Sequence, residues 1–338
     1  MKTLVTTANE GAARKEAVTH AAEIIRRGGV VAFPTETVYG LGADALNARA
    51  VARIFAAKGR PATNPLIVHV ASVAQAKRVA AQWPRAALLL ARRFWPGPLT
   101  LILPKRAIVP DIVTAGLPTV AVRCPAHPVA LALIRAAGTP IAAPSANRST
   151  QVSPTRAAHV ERQLAGRIPL ILDGGNTPGG IESTVLDLTG ATPHVLRPGL
   201  VTATEIAAVL GTAVLTAHDQ TVGGCRPRRS PGMMERHYSP RMPLVCLPGG
   251  ESAAEVGRSA RGGARVGWIS LGKPDARRSA RAAKLIAMPL APRAYAARLY
   301  AALHEMEDAG VDRIIADLPP DTKGWVAVRD RLRRASSR

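Results

Sequence analysis

Aromatic side chains are scarce in this sequence: four Trp, four Tyr and three Phe make up 3% of 338 residues. Its core must therefore be mostly aliphatic, and the stacking platform with which single-stranded RNA is usually read has little to be built from. Cysteine is rarer still. Cys124, Cys225 and Cys246 form neither a CxxC pair nor an even disulfide set, which favours a reducing, cytoplasmic compartment. No apolar run reaches the ~18 residues of a membrane span. The first ten residues hold no hydrophobic signal core, so no membrane partner is expected. Several chemical signatures are missing as well. There is no GxxxxGK[ST] loop, no GxGxxG after a strand, no HExxH and no GxSxG elbow. Scattered histidines and isolated cysteines give no zinc spacing, and no protein-held metal is expected. Any nucleotide chemistry must use a phosphate site of another kind.

Acid is the last shortage. Lys and Arg number 45 against 23 Asp and Glu, a net charge of +22. Such an excess favours anionic partners, either nucleic acid or phosphorylated small molecules. The excess is spread evenly, +12 over residues 1–210 and +10 over residues 211–338, so it draws no single nucleic-acid stripe.

Length suggests two domains. Residues 1–211 alternate short apolar runs with helical patterns. A helix over Arg14–Arg27 stops at Gly28-Gly29. Buried strands are expected at residues 30–33, Leu66–Val70, Leu99–Leu103, Thr119–Arg123, Ile141–Ala143, Leu170–Leu172, Thr184–Leu188 and Val195–Arg197. Helices are expected at Arg49–Ala57, Arg85–Phe94, Pro128–Ala137 and Pro154–Glu161. Strands outnumber helices, which predicts an α/β fold with a mixed sheet. Residues 212–242 are Pro/Gly-punctuated, carry five arginines and read as a linker. Residues 243–338 read as a smaller βαβ-type domain with a parallel sheet. Its strands fall at Leu244–Leu247, Val266–Ser270, Lys284–Met288 and Arg313–Ala316, and its helices at Ala253–Arg261, Arg293–Asp308 and Lys323–Arg334.

Five segments carry chemistry. Residues 34–44 (PTETVYGLGAD) follow a strand with two hydroxyls, a carboxylate and two glycines, and read as a ligand-binding loop. Residues 58–69 (KGRPATNPLIVH) set Lys58 and Arg60 two apart, read as an extended loop that sends both cations one way. A point charge beside a planar fork suits a polyphosphate, although such a pair is as readily a solvated surface. Residues 144–147 (PSAN) offer a hydroxyl and an amide, and the Gly-rich residues 173–187 offer backbone amides to an anion or simply a tight turn. Arg123 and Arg197 each close a strand and call for an anionic partner.

The ordered set PTETVYGLG, KGRP with NPLIVH, RCP, APSAN, DGG with ESTVLD, and LRPG resembles the L-threonylcarbamoyladenylate synthase family. Residues 230–240 (SPGMMERHYSP) resemble the linker of its two-domain form, with Met234-Glu235 and Ser239 as small departures. The resemblance implies a YrdC-like catalytic domain, a mixed twisted sheet around a positively charged cavity, followed by a smaller Rossmann-like α/β domain. It implies a nucleotidyltransferase that joins L-threonine, bicarbonate and ATP, with Mg²⁺, into threonylcarbamoyl-AMP and pyrophosphate. The product serves N6-threonylcarbamoyladenosine formation in tRNAs reading ANN codons. Lys58, Arg60, Ser145 and Asn147 are the implied catalytic signature. ATP would further meet Asn64, Thr119, Ser153, Arg197, His237 and Tyr238, and threonine would meet Thr35, His69, Arg123 and Ala143. Weak tRNA binding and contact with downstream threonylcarbamoyl-transfer proteins are further implied partners. The basic linker would act as a lid over a carbamate that water destroys.

A binding protein for tRNA without catalysis is the rival reading, drawn from the charge and the basic tail Arg329–Arg338. A hydrogenase-maturation carbamoyltransferase would need acylphosphatase-like and cysteine zinc modules beside the same fold, and this sequence has neither.

Overall fold

The computed structural model describes residues 2–8, 10–216, 238–248 and 250–336. These divide into two compact units. The first holds residues 1–149, 154–178 and 182–216, and the second holds 150–153, 179–181 and 238–336. Two short pieces from within residues 1–211 are thus counted with the second unit.

The first unit opens with β1 (Leu4–Thr7), α1 (Gly11–Arg26), β2 (Val31–Phe33), β3 (Gly40–Asp44), α2 (Ala48–Lys58) and β4 (Ile67–His69). Next come α3 (Val73–Val79), α4 (Arg85–Phe94), β5 (Leu99–Pro104), α5 (Asp111–Thr114), β6 (Thr119–Arg123), α6 (Pro128–Ala137) and β7 (Ile141–Ala142). It ends with α7 (Ala157–Leu164), β8 (Leu170–Asp173), β9 (Thr184–Asp187), β10 (His194–Arg197), α8 (Ala203–Leu210) and β11 (Leu215–Thr216). Its strands form one mixed sheet in the order β1-β8-β2-β3-β7-β4-β6-β5-β9-β10-β11.

Alternation along these strands decides which side chains meet. Register pairs His69 with both Arg123 and Ile141, and Ile67 with Ala121. Side chains two apart share a face, so Thr119, Ala121, Arg123, Ile67, His69, Ile141 and Ala143 all project to one side. Ile67, Ile102, Ala121 and Val185 form a small apolar floor there, packed against by half-buried Leu196. The opposite face belongs to the main core, in which Val68, Val120, Val122 and Ala142 pack against α2 through Val51 and Ile54.

The second unit contains β12 (Leu244–Leu247), α9 (Ser252–Arg261), β13 (Val266–Leu271), α10 (Ala276–Ser279), β14 (Lys284–Met288), α11 (Pro292–Asp308), β15 (Arg313–Asp317), a 3₁₀ turn (Lys323–Trp325) and α12 (Val326–Ser336). Its four strands are all parallel in the order β12-β15-β13-β14, as the βαβ reading anticipates. Cys124 is buried and Cys246 half-buried, and burial pushes both thiols up to about 11. Among the described residues, no helix is long and apolar enough to cross a membrane.

Several expectations need correction. Residues 34–44 are not one loop, because Gly40–Asp44 is a strand antiparallel to β2. Gly42 lies so close to Phe33 and Ile141 that a Cβ there would stand 2.6 Å from each, which is why a glycine-rich stretch reads as a turn yet forms a strand. The helix expected from Pro154 begins at Ala157, since Arg156 is still extended. The last helix is broken, its first turn being the 3₁₀ segment. The expected tail Arg329–Arg338 is not a free basic arm either. Arg331 is fully buried, and Arg329 and Arg334 pair with Asp321 and Asp330.

Candidate functional site

The end of α2 explains the Lys-Gly-Arg spacing. Asn47 caps the helix start with its side chain, and Gly59 closes the other end in the left-handed conformation at φ 61°. Gly59 N donates to Ala56 O (3.4 Å) and Arg60 N to Phe55 O (3.0 Å), the two bonds of a Schellman turn. Lys58 is therefore the last helical residue rather than part of an extended loop. Gly59 reverses the chain and carries Arg60 off the helix.

Lys58 is 2% exposed, and its ammonium rests on uncharged oxygens alone. Nζ donates to Ser145 O (2.6 Å), to Asn147 O and, at 3.5 Å, to Asn147 Oδ1. Burial and the neighbouring Arg60 charge push its pKa well below the ordinary lysine value. Arg60, buried too, donates through Nη2 to Asn64 O (3.3 Å) and Pro65 O (3.1 Å).

The Ser145-Asn147 segment is held from both sides. Leu41 N donates to Pro144 O, Ala146 N to Tyr39 O, and Ser149 N to Lys58 O. Gly40 and Ser145 form an isolated bridge, and a Cβ on Gly40 would come within 3.3 Å of Ala143. Asn147 spends its Nδ2 on Arg148 O, so its amide orients the loop in this state. Lys58, Ser145 and Asn147 thus come together as the signature predicts, although the contacts run through backbone carbonyls as much as through side chains.

A second cluster sits on the sheet face. Arg123 meets Glu36 at 2.6 Å, with the two side chains 4% and 13% exposed. Its Nε donates to Gly97 O, and Glu36 Oε2 accepts from Ala126 N. Beside it, His69 stands edge-on to Phe33 at 6.2 Å. Burial and the Arg123 charge lower His69 to about 3, which leaves the ring neutral at any working pH. Its Nδ1 is buried with no hydrogen-bond partner among the described residues. Ala143 lies on the same face, Thr119 half-buried at its far end. Thr35 is buried and its hydroxyl is used locally, donating to Val38 O and accepting from Thr37 N and Val38 N.

The fork of Arg197 grips Ser183 O through Nε (3.0 Å) and Nη2 (2.9 Å). Ser153 and Tyr238 are buried and belong to the second unit. His237 lies outside the described residues, as does most of the expected linker. Two residues acquire a role that sequence reading did not assign them. Glu36 stands in the PTET motif without a role until the fold sets it against Arg123. Ser183 carries no signal beyond its place in a glycine-rich run. Among the described residues, no group of three His, Cys, Asp or Glu is placed to hold a metal ion.

Comparison with known proteins now bears on this geometry. Residues 23–199 match the Sua5/YciO/YrdC family model, described as "Telomere recombination". Residues 201–337 match the model of the threonylcarbamoyl-AMP synthase C-terminal domain. The chain is 45% identical to the threonylcarbamoyl-AMP synthase of Pyrococcus abyssi, over 94% of this chain and 93% of the relative. It is likewise 45% identical to that of Bacillus subtilis, over 94% and 92%. It superposes on the crystal structure of P. abyssi Sua5 complexed with L-threonine with a TM-score of 0.89 at 43% identity, covering 99% of this chain and 98% of that one. The chain belongs to the threonylcarbamoyl-AMP synthase family.

Proposed function

We propose that this chain condenses L-threonine, bicarbonate and ATP into threonylcarbamoyl-AMP and pyrophosphate, for N6-threonylcarbamoyladenosine formation in tRNA. One observation carries the reading at the level of residues: a buried lysine ammonium, seated on the neutral oxygens of Ser145 and Asn147 beside buried Arg60. A cation in such a place is costly unless an anion completes it. ATP brings about four negative charges, and Lys58 with Arg60 supplies a point charge and a fork for its phosphates. Asn64, Thr119, Ser153, Arg197, His237 and Tyr238 are the further contacts we assign to ATP. Thr35, His69, Arg123 and Ala143 are those we assign to threonine.

The chemistry needs no covalent enzyme intermediate. The neutral amine of threonine attacks the carbon of bicarbonate, the N–C bond forms and water leaves, giving a carbamate. A carbamate oxygen then attacks the α-phosphorus of ATP, and the bond to pyrophosphate breaks. Both reactants of this second step are anions, so positioning and charge neutralisation are the main terms. Arg123 takes one negative charge out of the encounter by holding the threonine carboxylate, for which Glu36 must share it. His69, neutral, offers Nδ1 as a hydrogen-bonding atom without adding charge. Mg²⁺ enters as the companion of the ATP phosphates, and no step is assigned to a protein-held metal. We retain residues 1–211, 212–242 and 243–338 as catalytic domain, linker and C-terminal domain.

Mass spectrometry of the adenylate tests the reading. Product should require threonine, bicarbonate and ATP together. Lys58→Ala should lower its rate about 10²-fold or more, the scale on which loss of one charge-stabilising group acts. Product formed without threonine, or an unaffected Lys58→Ala variant, would reject it.

A further inference from the structure

Two of the three non-glycine residues described with positive φ are Thr150 (71°) and Tyr238 (64°). They are far apart in sequence and meet at one contact within the second unit. Ser239 N donates to Thr150 O at 2.9 Å, and Ser239 forms a parallel bridge with Gln151. Left-handed backbone at a threonine and a tyrosine is unfavourable and persists only where its surroundings fix it.

What fixes it is supplied by the last two helices. Tyr238 is 1% exposed, its ring tilted against Tyr300 of α11 with centroids 5.6 Å apart. The guanidinium of Arg331, in α12, lies over the same ring at 5.2 Å. Arg331 is itself fully buried, its charge steadied by Asp330 at 2.5 Å. From α11, His304 Nε2 lies 3.2 Å from Ser153 O and so holds the far end of the same short segment. A fully buried arginine is expensive to desolvate, and a flat cation over an aromatic face is a specific arrangement that lysine does not reproduce.

We propose that Arg331 is a positioning residue for the reaction: by clamping Tyr238 against Tyr300 it fixes the Thr150–Ser153 segment in the backbone form that meets the nucleotide. This gives the C-terminal domain a part in ATP binding although it carries no catalytic motif. The inference rests on the proposed reaction and on the reading that the Thr150–Ser153 segment meets its ATP.

Initial rates of adenylate formation by the full chain, with ATP and threonine varied in turn, test it. Arg331→Met should raise KM for ATP at least tenfold and leave KM for threonine within twofold, in a protein that still melts cooperatively. Tyr300→Leu removes the ring against which Tyr238 is held while leaving Arg331 on Asp330 and every assigned ATP contact in place, and should behave alike; it decides the matter if Arg331→Met does not fold. The double variant should be no worse than either single one. A folded variant with an unchanged KM for ATP, or with both KM values raised together, would overturn the proposal. Ser153→Ala separates the two layers. If it raises KM for ATP and Arg331→Met does not, the clamp is wrong. If Arg331→Met raises KM and Ser153→Ala does not, the clamp stands and the Ser153 contact falls.

Discussion

At the scale of single residues, Lys58 shows how a charged group is made ready for a ligand. Its hydrogens are directed by backbone and amide oxygens, while burial and Arg60 hold its pKa below the ordinary value. An arriving polyphosphate reverses the second influence, because negative charge favours the ammonium. Between the depressed pKa of the free protein and the higher one of the complex, ATP binding therefore takes up a proton. Affinity for ATP should fall as pH rises through that window, by up to about tenfold per pH unit for one linked proton. Titration calorimetry in buffers of different ionisation enthalpy should show the uptake, and Lys58→Ala should abolish it. His69 makes the opposite case. Its charge is already removed at neutral pH by burial and by Arg123, so it contributes shape and a nitrogen atom rather than a titration. Neither state was legible in the sequence, which gave the residue types in Lys58-Gly59-Arg60 and Val68-His69-Val70 but not the carbonyls and cations around them. Glu36 was likewise visible as a letter in a motif. Its role against Arg123 depends on two segments 87 positions apart.

Elements come next, and the Schellman turn closing α2 is the one on which the site depends. Gly59 and Gly138 both end helices in the left-handed region, at φ 61° and 73°, and neither has a heavy atom within 4 Å of where a Cβ would stand. Alanine at either position should therefore cost backbone strain alone, about 1–2 kcal/mol. Urea unfolding should show similar losses for Gly59→Ala and Gly138→Ala. Adenylate formation should drop only for Gly59→Ala, which displaces Lys58 and Arg60. Strands such as Thr119–Arg123 and helices such as Arg85–Phe94 and Pro128–Ala137 were legible residue for residue, because β-branched runs, long apolar periods and glycine or proline punctuation act locally. Others were hidden by their composition. Gly40–Asp44 is a strand only because neighbouring Phe33 and Ile141 leave no room for side chains at Gly42. The Leu4–Thr7 strand is a partly exposed edge with no apolar alternation to announce it.

For the whole molecule, the charge of +22 and the parallel second sheet were expected from composition and pattern, and the sharing of residues 150–153 and 179–181 with the second unit was not. Nothing local in a sequence says that a short loop packs with helices 150 residues further on. The charge itself leads to a test that separates catalysis from nucleic-acid binding. If tRNA is held only by diffuse cations, filter retention should fall about tenfold between about 50 and 200 mM salt for even two neutralised phosphates. Adenylate formation, driven by the buried pair Lys58 and Arg60, should change far less over the same range. The two inert thiols have a practical corollary of their own. At pH 7, Cys124 and Cys246 hold almost no thiolate, so a maleimide dye should pass them by. Whatever couples rapidly then marks position 225, within the span of the C-terminal family model, and supplies a one-site fluorescent reporter without any mutagenesis.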